Sequence, residues 1–174
     1  MKRNILKISV LCFSLVVISC KQKTTEAKLG IDNSEQIADE IEVTKKELQG
    51  VFVKMWDNVT LTKASKYFKT DVSDTFFTIN ADGIVQNKTE VLADSKRLEM
   101  LEMLDFKFFD QQIKVFDKVG IITGRIEAFS DEAYVGEVFY TAIFVKYGDT
   151  WKYENWQGTW SRDSPPPPAF TEEK

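Results

Sequence analysis

The chain has 174 residues, with 23 Lys and Arg against 27 Asp and Glu, 13% aromatic residues, two cysteines and no histidine. An acidic balance with no basic cluster leaves no electrostatic footprint for nucleic acid. The missing imidazole removes His-ligated zinc, Ser-His-Asp catalysis and the usual general base near neutral pH, so any chemistry falls to carboxylates, Tyr, Lys or a bound ion.

In chain order, Lys2, Arg3 and Lys7 precede an apolar run from Ile8 to Ile18. That run is shorter than the roughly 20 residues that span a bilayer and reads as an export signal. It closes in Val17-Ile18-Ser19-Cys20, which resembles the lipobox of bacterial lipoproteins. The resemblance implies that residues 1–19 are a cleaved signal peptide and that Cys20 is acylated, palmitate-type chains included. It also implies that the protein is lipid-anchored to the cell envelope. Lys21, standing where Asp would retain a lipoprotein in the inner membrane, implies the outer membrane, facing the periplasm. The alternative is a plain secretory signal with an incidental Cys. Loss of the signal removes three cations and leaves 155 residues with 20 basic and 27 acidic groups, net −7. Cys12 leaves with the signal and Cys20 is consumed, so the mature domain has neither disulfide nor thiol nucleophile. Residues 20–33 are polar and aperiodic and read as a flexible tether.

Asn33 or Ser34 is the expected cap of a long helix whose apolar stripe is Ile37, Ile41, Leu48, Phe52, Met55, Trp56 and Val59. A short helix is expected over 62–68 with Thr62 as its cap. Residues 74–80 read as a strand, Asp82-Gly83 as a hairpin turn and Ile84-Val85 as its return. Asn87 with Glu90 forms a variant capping box opening a third helix through Val91, Leu92, Leu98 and Leu101. Four long strands follow over 106–116, 120–129, 135–147 and 150–160. Short polar turns at Asp117-Lys118, Ser130-Asp131-Glu132 and Gly148-Asp149 join them as an antiparallel meander. Helices first and then strands give an α+β fold, with the three N-terminal helices on one face of a curved sheet. Residues 161–174 read as a Pro-rich tail.

This order, and Ala81-Asp82-Gly83, Asn87 to Leu92, Val119 to Gly124, Phe144-Val145-Lys146 and Trp151 to Gln157, resemble the SnoaL-like and ketosteroid-isomerase-like branch of the nuclear-transport-factor-2-like superfamily. The resemblance spans about residues 35–160 and implies a cone with a pocket between the concave sheet face and the long helix. Strict alternation along the last strand puts Trp151, Tyr153, Asn155, Gln157 and Thr159 on one side, aligned with the family's concave positions, and Trp156 and Trp160 on the other.

The resemblance places Trp56, Thr78, Asn80, Thr141, Tyr153, Asn155 and Gln157 at the pocket as ligand-binding residues. It also shows what is missing. The ketosteroid-isomerase scheme uses an Asp base with a Tyr and a protonated Asp as oxyanion hole. The base position falls at Thr78 to Asn80, the oxyanion Asp near Thr141 and the Tyr near Met55 or Trp56, so no role is filled. No catalytic residue, cofactor or metal site is expected. Arg125 and Glu127 share a strand face with Thr123 and are expected on the convex side or rim; Glu99, Glu102 and Asp105 read as a solvated helix face. Trp156 and Trp160, facing outward, suggest a homodimer through the outer sheet face. Three functions stay open: an anchored domain binding a small apolar ligand; an isomerase, dehydratase or hydrolase working through carboxylates or Tyr; and a structural module whose interior is filled by its own aromatic rings.

Overall fold

The computed structural model describes residues 26–165, with side chains from residue 34. The signal segment, Cys20, the first part of the tether and residues 166–174 lie outside the described residues. The elements are α1 (Glu26–Trp56), α2 (Ala64–Asp71), β1 (Val72–Ile79), β2 (Val85–Asn87), α3 (Lys88–Ala93), α4 (Ser95–Met103), β3 (Asp105–Phe116), β4 (Val119–Ser130), β5 (Ala133–Tyr147) and β6 (Thr150–Trp160). The fold is α+β: a curved, unclosed six-stranded sheet in the order β2-β1-β6-β5-β4-β3, with the helices packed against it.

The expected meander is present. Two-residue turns join Phe116 to Val119, Ser130 to Ala133 and Tyr147 to Thr150, so β3 to β6 are antiparallel neighbours. Positive φ at Asp131, Glu132 and Gly148 suits the tight hairpins that follow the twist of their strands. The sheet is mixed rather than purely antiparallel, because β1 pairs with β6 in parallel. That contact joins segments about 80 residues apart, which no local pattern announces.

Three helix boundaries differ from expectation. Helix α1 begins at Glu26, so Asn33 and Ser34 lie inside it and the second half of the expected tether is helical. Only the C-terminal half of its apolar stripe is used: Leu48, Phe52 and Met55 are buried, whereas Ile37 and Ile41 stay exposed. Helix α2 starts at Ala64, and Thr62 donates instead to Glu102 at 3.1 Å. The third helix is two helices. Asp94 closes α3 through its N–H and opens α4 by accepting the Arg97 N–H on its side chain. The capping box at Asn87 forms as expected, with reciprocal bonds to Glu90.

The core lies between α1, α2 and the concave sheet face. Tyr140 is its hinge: its ring stacks on Phe52 at 5.5 Å on one side and on Trp156 at 5.0 Å, only 6° from parallel, on the other. Trp56 meets Trp156 edge-on at 5.4 Å, and Phe108 closes the cluster against Phe52 and Trp56. Such pairs contribute about 0.5–1.5 kcal/mol each beyond the area they bury. The stack needs a bare backbone where α1 docks, and Gly120 supplies it: a Cβ there would stand 2.5 Å from Leu48.

A bulge in β6 decides which residues face this interior. Ile143 pairs with Asn155, but Phe144 pairs with Tyr153, so Glu154 is an extra residue on β6. An extra residue bends the strand and reverses its alternation. Trp151 and Tyr153 point inward before the bulge; beyond it Trp156, Gly158 and Trp160 do, and Asn155, Gln157 and Thr159 turn to the outer face. The inward placement of Trp160 depends on Gly136, where a Cβ would lie 2.2 Å from the indole. The chain beyond β6 is no free tail as far as it is described. The Ser161 N–H donates to the Glu137 carbonyl at 2.8 Å, and Trp160 Nε1 donates to the Pro165 carbonyl at 2.7 Å.

Candidate functional site

A cavity of about 420 Å³ lies between α4 and the concave sheet face. The size is within the range of small-molecule pockets. The α1 aromatic cluster forms one wall through Met55 and Trp56, and Phe76, Phe106, Ile126 and Val138 line the sheet side. Helix α4 covers it with Leu98, Met100, Leu101 and Met103. The short α4 is held by its Asp94 cap and by ion pairs of Arg97, and methionine thioethers give its underside an adaptable shape. The interior is therefore only partly filled by aromatic rings.

One wall is polar, and its groups are chained. Thr78 Oγ1 donates to Asn80 Oδ1 at 3.4 Å, and Asn80 Nδ2 donates to Gln86 Oε1 at 2.9 Å. Gln86 Nε2 then donates to Asp94 Oδ2 at 2.9 Å. Arg97 ends the chain, its Nε on Asp94 Oδ2 at 3.2 Å and its Nη2 on Asp82 Oδ2 at 2.7 Å. The Asp82-Gly83 turn, recognised in the sequence as a turn signal, thereby also delivers an ion-pair partner to the cavity. Arg97 and Asp82 side chains are only 13% and 14% exposed, so the pair is little screened by water.

One carboxyl and one phenol here have shifted protonation equilibria. Burial acts to raise the Asp94 carboxyl, but the Gln86 amide, the Arg97 N–H and the Arg97 guanidinium together hold it below the usual range. Asp94 is thus a fixed anion. Burial, and secondarily Tyr67, push the Tyr153 phenol well above its ordinary value, so it stays protonated. A protonated phenol donates a hydrogen bond but takes no proton.

Of the seven expected ligand-binding residues, Trp56, Thr78, Asn80 and Tyr153 line the cavity. Thr141, Asn155 and Gln157 do not. Thr141 pairs with Gln157 on the outer side of the sheet, and Asn155 Nδ2 donates to the Phe77 carbonyl of β1 at 2.9 Å. Asn155 and Gln157 are displaced by the β6 bulge, which carries no local sequence signal, whereas Thr141 faces outward because it alternates with the buried Tyr140 and Ala142 on β5. The same bulge brings Trp156 and Trp160 inward, so the outward-facing tryptophans that suggested a homodimer are cavity walls instead. Arg125 and Glu127 are on the outer face as expected: Arg125 Nη1 donates to Glu127 at 2.7 Å and to Glu137 at 2.5 Å. Glu99, Glu102 and Asp105 are solvated, and no acidic group among the described residues is arranged to hold a metal ion.

Sequence reasoning missed Asp82, Gln86 and Arg97 as cavity residues, and Asp94 as the acid that holds Gln86 and Arg97 in place. A trace was available: Asp94 stands three residues before Arg97, the spacing of a helix cap. The run Leu98, Met100, Leu101, Met103, Leu104 is also more apolar than a one-sided surface helix requires.

No family model matches the sequence, and no curated protein does. Solved structures do resemble the fold. A nuclear-transport-factor-2-like protein from Cytophaga hutchinsonii matches with a TM-score of 0.54 and 11% identity, covering 67% of this chain and 98% of that one. One of unknown function from Pseudomonas putida KT2440 matches at 0.57 and 12%, covering 68% and 87%. A third, from Streptomyces avermitilis and provisionally described as a dehydratase of that family, matches at 0.58 and 12%, covering 69% and 97%.

Proposed function

From the premise that this chain carries a cone of the nuclear-transport-factor-2-like fold, we propose that it is an envelope-anchored lipoprotein whose cone binds a small, largely apolar molecule without transforming it. The observation that carries the reading is the open, mostly hydrocarbon cavity of about 420 Å³ whose polar wall is already internally bonded. Apolar burial drives binding there, and a few neutral groups orient the guest. Thr78, Asn80 and Tyr153 are the binding residues carried forward from the sequence, joined by Gln86.

The anchoring half of the proposal rests on Val17 to Cys20 alone. Two or more acyl chains hold a protein stably where one holds it marginally. Cys20→Ser moves the chain from the detergent phase to the aqueous phase on Triton X-114 partition; an unchanged distribution counts against acylation.

Mass spectrometry of small molecules copurifying with the full chain tests the binding half. A species bound to wild type and absent from Ala128→Phe, which projects a ring into the cavity, supports it. Identical retention in both places binding elsewhere. The second reading, an isomerase, dehydratase or hydrolase, draws on the Streptomyces resemblance. It would depend on Tyr153 as a hydrogen-bonding acid, and Tyr153→Phe would then abolish turnover of bound guest, a loss larger than any weakening of guest affinity.

Self-association through the outer sheet face is proposed on new grounds, the half-exposed Phe77 and Phe139 rather than the tryptophans. Phe139→Glu would turn a dimer into a monomer on gel filtration; a wild-type monomer at every concentration counts against it.

A further inference from the structure

We infer that the cavity selects uncharged guests: a mainly hydrocarbon molecule ending in a hydroxyl or carbonyl, with carboxylates and phosphates turned away by Asp82 and Asp94. The inference rests on the binding reading above and deepens it. An arginine at the end of an apolar pocket ordinarily invites a carboxylate, because its planar fork matches two oxygens. Arg97 is differently placed. Its Nη2 is committed to Asp82 Oδ2 at 2.7 Å and its Nε to Asp94 Oδ2 at 3.2 Å, and its N–H holds the other Asp94 oxygen at 3.1 Å. Asp82 stands on the cavity wall beside Arg97 and Asp94 holds Arg97 from behind, so the guanidinium charge is already answered by carboxylates.

An incoming carboxylate would have to displace Asp82 or stand beside two like charges in a site sheltered from water, which is unfavourable. An ammonium head would forfeit its hydration against a mostly hydrocarbon lining, while both carboxylates already have partners. The neutral groups on the same wall behave differently. Asn80 Oδ1 receives only the long 3.4 Å bond from Thr78, and the Thr78 oxygen keeps its own lone pairs. They can accept from a hydroxyl, and the Tyr153 phenol on the cavity wall can donate to a carbonyl.

The two aspartates can lose their charge without losing their backbone roles. Asp82 Oδ1 accepts the Ile84 N–H at 3.0 Å in the hairpin turn, and Asp94 Oδ1 caps α4. Asparagine serves both functions. The double variant Asp82→Asn/Asp94→Asn therefore removes two negative charges from beside the guanidinium.

The test uses the full chain and the uncharged fluorophore N-phenyl-1-naphthylamine, displaced by 1-dodecanol, dodecanoate or dodecylammonium, which share one chain and differ in the head. On wild type, dodecanol displaces the probe at about tenfold lower concentration than either ion. On the double variant, with its thermal unfolding confirmed cooperative, dodecanoate gains about tenfold and reaches or passes dodecanol. Wild type taking dodecanoate or dodecylammonium as well as dodecanol overturns the selectivity and leaves the cavity reading standing. A folded double variant with the wild-type preference overturns the role of the aspartates. Failure of the probe and all three guests to bind, with Ala128→Phe indistinguishable from wild type, overturns the cavity reading and this inference with it.

Discussion

The interior has two regions built from similar residues to opposite ends. Under α1, Phe52, Trp56, Phe108, Tyr140 and Trp156 fill the space with rings whose centroids lie 5.0–6.4 Å apart. Under α4, Leu98, Met100 and Met103 face Ile126 and Val138 across an unfilled volume. The long helix is docked by a buried stripe and a bare glycine, whereas the short one is held at its start by Asp94 and Arg97. Stability is thus concentrated under α1 and room for a guest under α4.

Mutations should separate the two. Phe52→Ala removes the centre of the ring stack and costs about 3–5 kcal/mol in chemical denaturation, whereas Met100→Ala, on the cavity side, changes stability far less and guest affinity more. A comparable loss from both would erase the distinction. Gly136→Ala pushes a methyl into Trp160 and costs about 1–3 kcal/mol, with a shift in tryptophan emission as the indole moves. Ala128→Phe sharpens the contrast from the other direction: it abolishes guest binding while leaving the melting temperature of the empty protein near wild type.

Most of the fold was legible in the sequence, and the reason is local. The Asn87 capping box, the Asp82-Gly83 turn, the three polar hairpin turns and the four long strands each depend on neighbouring residues, and each is present. What was not legible is non-local or costs a single residue. The parallel β1–β6 pairing joins distant segments, and the Glu154 bulge reverses a strand whose own pattern, with Trp151 and Tyr153 alternating regularly, reads as unbroken. That one insertion moved Asn155 and Gln157 out of the site and Trp156 and Trp160 into it. The ion-paired wall was hidden for a related reason: Asp82 and Arg97 meet only because the hairpin and α4 converge.

Two smaller effects follow. The folded-state carboxyl of Asp94 lies below its unfolded value, so its stabilisation is complete above about pH 3.9 and is lost as pH falls through the folded value. The stability gap between wild type and Asp94→Asn should therefore narrow as denaturation is repeated from pH 7 down to pH 2; a gap independent of pH would contradict the assignment. The smallest effect is expected at Gln157, where replacement by Ala should alter stability by no more than about 0.5 kcal/mol and guest affinity not at all. A loss of binding there would restore the inward-facing strand that the bulge denies.

Xenon enters apolar cavities and leaves filled cores untouched, so crystals of the protein pressurised with xenon probe the hollow itself. Density for the gas between α4 and the sheet, beside Ile126 and Val138 and away from the Phe52–Tyr140–Trp156 stack, is the predicted result. An interior closed by Phe106 or Trp160, with no xenon under α4, would contradict the account.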